Sequence, residues 1–156
     1  MNNSLNLVLY NPEIPQNTGN IIRLCHNTGA NLHLIKPLGF NFQDNKLRRA
    51  HMDYNEGNKP IIHDSFKHFI ESEKPKKLYA VDTFGEQNYS DVEYDGTEYF
   101  IFGSESSGLP KDVFFDKSIT DRIKIPMKED SRSINLSNSV SIVLYESLRQ
   151  INFKNL

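Results

Sequence analysis

The chain has 156 residues and a formal net charge of −2, with 37% hydrophobic and 24% charged residues, the make-up of an ordinary globular domain. A chain of this length forms one domain that buries about two-thirds of its unfolded surface. The charge excludes a uniformly basic nucleic-acid binder, and apolar runs of only a few residues exclude a transmembrane helix. The lone Cys25 excludes an intramolecular disulfide and fits a reducing, cytoplasmic setting. Met1–Tyr10 carries no basic stretch ahead of its apolar residues, unlike a signal peptide. The expectation is therefore a single cytoplasmic domain over residues 1–156.

In chain order, Leu5–Tyr10 is a buried strand ended by Asn11-Pro12, with Pro15 keeping the next loop extended. Asn17 or Thr18 can cap a helix to about Asn27, with Ile21, Leu24, Cys25 and Thr28 on one face and Gly29 as its stop. Asn31–Ile35 is the next strand, closed by Pro37 and Gly39. Asp44–Met52 is a short basic helix, Pro60–His63 a short strand, and Ser65 caps a helix that turns Phe66, Phe69 and Ile70 inward. Lys77–Asp82 and Glu98–Phe102 are strands separated by a polar connection. Pro110 suits the first position of a short helix to Phe115, and Asp121–Ile125 is the last strand. Leu136, Val140, Val143, Leu144, Leu148 and Ile151 recur at helical spacing. Strands alternating with helices in this way argue an α/β layer with a mainly parallel sheet flanked by helices.

In such sheets ligands gather beyond the carboxyl ends of the strands. Four strand ends here are chemically unusual: Asn11–Arg23, Val81–Gly85, Gly103–Pro110 and Pro126–Asn138. The last carries Ser131, Ser133, Asn135, Ser137 and Asn138, more short polar side chains than the single one an N-cap requires. No GxGxxG follows the first strand and no GxxxxGK[ST] occurs, which removes the ordinary dinucleotide and P-loop readings. Taken alone, Asn17–Arg23 reads as a capped helix with a solvent-facing arginine, and Gly103–Pro110 as a surface turn. The five histidines show no metal-ligand spacing and read as surface or satisfied, partly buried residues. Cys25 reads as core, and Tyr145, beside the last helix's apolar stripe, as an interface candidate. The basic candidates for a local nucleic-acid patch are Lys46, Arg48 and Arg49, with Arg23, Lys36 and Arg132. Lys74, Lys76 and Lys77 read as a solvated loop.

Three segments, NTGNIIR, FGSESSGLP and IPMKEDSRSINLSNSVSIVLYE, stand in the order of the three motifs of the SPOUT (α/β-knot) methyltransferases. With LYNPEIPQNTGNIIRLCHNTGA, KPLGF and LRRAHMDY, essentially the whole chain resembles the bacterial branch of that family that 2′-O-methylates the wobble nucleotide of leucine tRNAs. The resemblance implies a C-terminal deep trefoil knot, S-adenosylmethionine as cofactor, a homodimer, no metal, and no separate RNA-binding domain. It places cofactor contacts at Val81, Gly103, Gly108, Ile125, Met127, Ser133 and Leu136, with Leu109 as a further apolar wall. It places catalysis at Asn17, Arg23, Glu105, Ser133 and Asn135. A guanidinium is permanently charged and a poor base, so Arg23 is expected to bind the neighbouring phosphate and stabilise charge on O2′, with Asn17 and Glu105 holding Arg23 and the cofactor loops in place. Ser137 or Asn138 is left for helix capping. Lys46, Arg48, Arg49 and Arg132 are expected to meet the phosphates of the anticodon stem-loop. The alternatives are another tRNA position or rRNA as substrate, or a non-catalytic RNA-binding dimer.

Overall fold

The structure, a computed structural model, describes residues 4–42, 59–154 and 156. The helix expected over Asp44–Met52, with Lys46, Arg48 and Arg49, lies outside the described residues. The elements are β1 (Asn6–Tyr10), α1 (Pro15–Thr28), β2 (Asn31–Ile35), β3 (Ile61–His63), α2 (Phe66–Glu73), β4 (Leu78–Val81), β5 (Gln87–Asn88), β6 (Tyr99–Phe102), α3 (Lys111–Phe114), β7 (Asp121–Lys124) and α4 (Leu136–Gln150). Among the described residues seven strands form one sheet in the order β3-β2-β1-β6-β4-β7-β5. Every strand pairing is parallel, as expected of strands joined by helical crossovers.

Alternation along the strands divides the core between two faces. Leu7, Leu9, Leu32, Leu34, Tyr79, Phe100 and Phe102 point to the face covered by α1 and α4, where they meet Ile21, Cys25, Val140, Val143 and Leu144. Val8, Ile35, Leu78, Ala80 and Ile101 point to the other face, against Phe69 of α2 and Val113 and Phe114 at α3. The apolar stripe of α4 is buried as its spacing predicts, from Leu136 through Leu148.

The helix ends differ in instructive ways. Gly29 takes a left-handed conformation (φ 73°) and closes α1 through its amide on the Cys25 carbonyl, as expected. Ser65 caps α2 by accepting from the His68 amide at 3.0 Å. By contrast, α1 begins at Pro15, with no side-chain cap at Ile14. Pro15 therefore starts the helix and does not extend the loop, because its fixed φ and missing N–H suit the first position. Asn17 and Thr18 lie inside the helix and are buried. At α4 the cap is Asn135, which accepts from the Asn138 amide at 3.3 Å, in place of Ser137 or Asn138. Pro110 is the residue before α3, not its first.

The connection expected to be polar, residues 86–97, contributes β5 and a buried Tyr94. Tyr94 packs edge-on against Phe100, and its amide donates to Gln150 of α4 at 2.8 Å. Buried Glu98 accepts from the Gly96 amide at 3.1 Å and from the Ser147 hydroxyl of α4 at 3.0 Å. His33 and His63 also depart from expectation, since both are buried. Desolvation, with repulsion from His63, pushes the His33 pKa down to about 4. Burial likewise lowers His63, with His68 adding to the effect and Glu73 opposing it. Neutral imidazoles of this kind avoid the penalty of an unpaired buried charge.

Two outcomes follow. Leu144 is fully buried, so Leu144→Ala should lower unfolding free energy by about 2–5 kcal/mol in chemical denaturation. Burial pushes the Cys25 thiol up to about 12, so at mildly alkaline pH it should alkylate only once denaturant is added. Prompt modification of the native chain would contradict that burial.

Candidate functional site

The carboxyl ends of β1, β6, β4 and β7 lie side by side in the sheet, and the segments leaving them border one cleft of about 380 Å³. Val81, Phe102, Leu109, Ile125, Met127 and Leu136 give it apolar walls, and Thr83, Ser104, Ser107 and Ser133 supply hydroxyls. An apolar slot with a few polar groups is the usual form of a small-molecule site.

Glu105, in the loop after β6, binds the chain between β1 and α1. It accepts from the Glu13 amide at 3.0 Å, the Ile14 amide at 2.6 Å and the Asn17 side chain at 3.2 Å. Because α1 has no side-chain cap, a carboxylate from a distant loop meets amides at its start, where the helix dipole also favours negative charge. Asn17 passes the link on, since its carbonyl oxygen accepts from the Asn135 side chain at 3.0 Å. Three of the motif segments are thus joined through Glu105, Asn17 and Asn135.

A second clasp runs in the opposite direction. The Glu13 carboxylate accepts from the Ser106 hydroxyl at 2.6 Å, and that hydrogen bond holds its pKa below the usual carboxylate range. Asp82, just after β4, accepts from the Leu109 amide at 3.2 Å and the Phe84 amide at 3.1 Å, tying the β4 and β6 loops together. The backbones approach closely here. A Cβ on Gly103 would lie 2.0 Å from the Gly108 carbonyl carbon, and Gly108 itself has φ 67°, so both positions favour glycine.

Of the residues singled out in the sequence, Asn17, Val81, Gly103, Glu105, Gly108, Leu109, Ile125, Met127, Ser133, Asn135 and Leu136 all border this cleft. Arg23 does not. It follows Asn17 by six residues, hence about 120° around the helix and about 9 Å along it, and it is exposed. The hydrogen bonds of Glu105 and Asn17 join the β6 loop, the β1–α1 loop and the start of α4, in line with the loop-holding part of the expectation, and none of them goes to Arg23. Arg132 is exposed beside the cleft wall. Sequence reading passed over Glu13 and Asp82. An acidic residue at a strand's carboxyl end beside a glycine-containing loop was the available signal for Asp82, whereas Glu13 carried none.

The SpoU rRNA Methylase family model matches residues 4–145, and the chain belongs to that methyltransferase family. It is 49% identical over 149 residues to the tRNA (cytidine(34)-2′-O)-methyltransferase of Escherichia coli (strain K12), covering 96% of this chain and 95% of that one. A solved structure concerned with the 2-OH methylation of C/U34 on tRNA superposes with a TM-score of 0.89 at 39% identity, covering 97% of this chain and 98% of that one. The fold extends to the SpoU methyltransferase AviRb from Streptomyces viridochromogenes in complex with AdoMet, with a TM-score of 0.82 at 22% identity, covering 95% of this chain and 60% of that one.

The clasp makes a direct prediction. Glu105→Gln replaces one acceptor oxygen with a donor facing other donors, and should lower unfolding free energy by about 1–3 kcal/mol in urea denaturation. An unchanged midpoint would mean that these hydrogen bonds do not hold the loops.

Proposed function

We propose that the chain transfers the methyl group of S-adenosylmethionine to the ribose 2′-oxygen of the wobble nucleotide of tRNA, C or a modified U, with leucine tRNAs as the first candidates. The observation that carries this reading is 49% identity across 96% of the chain to the Escherichia coli enzyme named for that position. The gathering of the three motif segments into one cleft agrees with it. The rRNA named in the family description is the alternative substrate, and the same assay decides between them.

The cleft suits S-adenosylmethionine: the apolar walls fit a purine, and the hydroxyls and loop backbone fit the polar remainder. Val81, Gly103, Gly108, Ile125, Met127, Ser133 and Leu136 would hold it. When bound, the cofactor supplies an electrophilic sulfonium methyl. The protein's own contribution is mainly alignment. The Glu105–Asn17–Asn135 chain fixes the start of α1 relative to the start of α4, so the wall carrying Ser133 and Asn135 keeps its distance from the β6 loop. Both Glu105 oxygens are engaged by N–H donors, which makes this carboxylate an anchor and leaves the ribose proton to phosphate or water. Arg23 is exposed, and its guanidinium serves as a phosphate ligand that stabilises charge on O2′.

Residues 1–156 act as one domain, with a C-terminal trefoil knot. Support for the threading comes from the β4–β5 connection, which passes the carboxyl end of β7. There the Asp82 amide donates to Ile123 and the Glu86 amide to Arg122, and a Cβ on Gly85 would lie 2.3 Å from the Ile123 carbonyl carbon. In the knotted arrangement the chain leaving β7 at Ile125 would run through that connection, against the usual rule that proteins avoid threading loops. The working form is a homodimer. Tyr145 on α4 and Ile14 before α1 are each 43% exposed and supply apolar surface for a second subunit. The two subunits together present Lys46, Arg48, Arg49 and Arg132 to the anticodon stem-loop. Among the described residues no helix is long and apolar enough to cross a membrane.

Incubating the chain with S-adenosylmethionine and leucine tRNA, then mapping nucleosides by mass spectrometry, should find one methyl on the wobble ribose. A methyl elsewhere, or only on rRNA, would overturn the reading. Arg23→Lys should slow transfer at least about tenfold, the equivalent of about 1.4 kcal/mol of lost transition-state binding, because an ammonium cannot grip phosphate with two parallel hydrogen bonds. Affinity for tRNA should fall steeply with added salt; a flat response would exclude a phosphate-based footprint.

A further inference from the structure

On the sheet face away from α1 and α4, β2, β3 and α2 bring together three ligating groups that lie far apart in sequence. His33 Nδ1 is 3.1 Å from His63 Nε2. Glu73 Oε1 is 3.9 Å from His33 Nδ1 and 3.9 Å from His63 Nε2. A triangle with those sides has its centre about 2.1 Å from every corner, the length of a zinc–nitrogen or zinc–carboxylate bond. We propose that His33, His63 and Glu73 form a binding site for a divalent transition-metal ion, zinc by the chemistry of its donors, which pins the edge strand β3 to the sheet and to α2.

The surroundings support ligation. Metal-bound histidines typically present their other nitrogen to an oxygen acceptor, and ligating carboxylates are hydrogen-bonded in turn. His33 Nε2 lies 3.1 Å from the Asn6 side-chain oxygen. That oxygen also accepts from Asn31 at 3.1 Å, while the Asn6 amide nitrogen donates to the Ser4 carbonyl, so it is fixed as an acceptor. The proton of His33 is consequently on Nε2, and Nδ1 offers a lone pair to the cluster. The Tyr99 hydroxyl donates to the other Glu73 oxygen at 3.4 Å. Without metal, His63 Nε2 donates to His33, and His63 Nδ1 has no partner although it is buried. Metal binding moves the His63 proton from Nε2 to Nδ1 and frees Nε2 as a ligand, with no net proton release. Two imidazoles and one carboxylate are a common zinc donor set that leaves a fourth position for water. Glu73, with 24% of its side chain exposed, gives solvent and metal a way in. This site lies on a different face from the cleft helices and takes no part in the proposed methyl transfer.

The test is isothermal titration of the EDTA-treated full chain with zinc chloride, alongside thermal melts. The expected result is one zinc per chain and a melting midpoint raised by excess zinc. Glu73→Gln, at a partly exposed position, should weaken binding at least tenfold and abolish the shift. His63→Ala should do the same, with circular dichroism checking that it folds. His26→Ala, at an exposed histidine on α1, should bind like the parent. Absence of binding, or binding that survives both Glu73→Gln and a folded His63→Ala, would overturn the proposal, as would binding lost in His26→Ala.

Discussion

One carboxylate holds the cleft together. Glu105 reaches from the β6 loop to the amides of residues 91 and 92 positions earlier and to an amide side chain 88 positions earlier. Hydrogen bonds to a charged group contribute about 1.5–3 kcal/mol each, enough to keep two otherwise independent loops in register. Asn17 extends this constraint to Asn135, and Asp82 extends the β6 loop to β4. Without that first link, the polar contacts left between the start of α1 and the β6 loop include the exposed Glu13 carboxylate with Ser106 and Ser104.

That arrangement divides labour across the molecule. The strands supply a rigid frame, because both sheet faces are buried and the central strands carry no exposed edge. The loops supply chemistry, and their glycines let backbones approach more closely than any side chain would allow. Stability and function are thereby coupled at the same few hydrogen bonds. The opposite face, with its neutral histidine pair, belongs to the frame.

Much of the frame is legible in the chain itself. The stripe from Leu136 to Leu148, the stop at Gly29 and the cap at Ser65 follow from local rules, and the structure contains all three. The cleft is legible only in part. Asn17 looks like a cap because local rules see a short amide near a helix start, whereas its partners are Glu105 and Asn135, 88 and 118 residues away. His33 and His63 look unrelated because 30 residues separate them, and parallel pairing of β2 with β3 is what brings them together. Arg23 shows the converse: membership of a motif in sequence does not by itself place a side chain on the cleft its motif partners line, and this one is exposed on α1. The proposed threading at β7 rests on the family resemblance, and no periodicity encodes it.

The central claim is that this cleft methylates the wobble ribose of tRNA. The most direct measurement is mass-spectrometric mapping of leucine tRNA from cells that lack this chain. The account predicts loss of the wobble 2′-O-methyl group and its return when the intact chain is restored. A wobble ribose that stays fully methylated would contradict it.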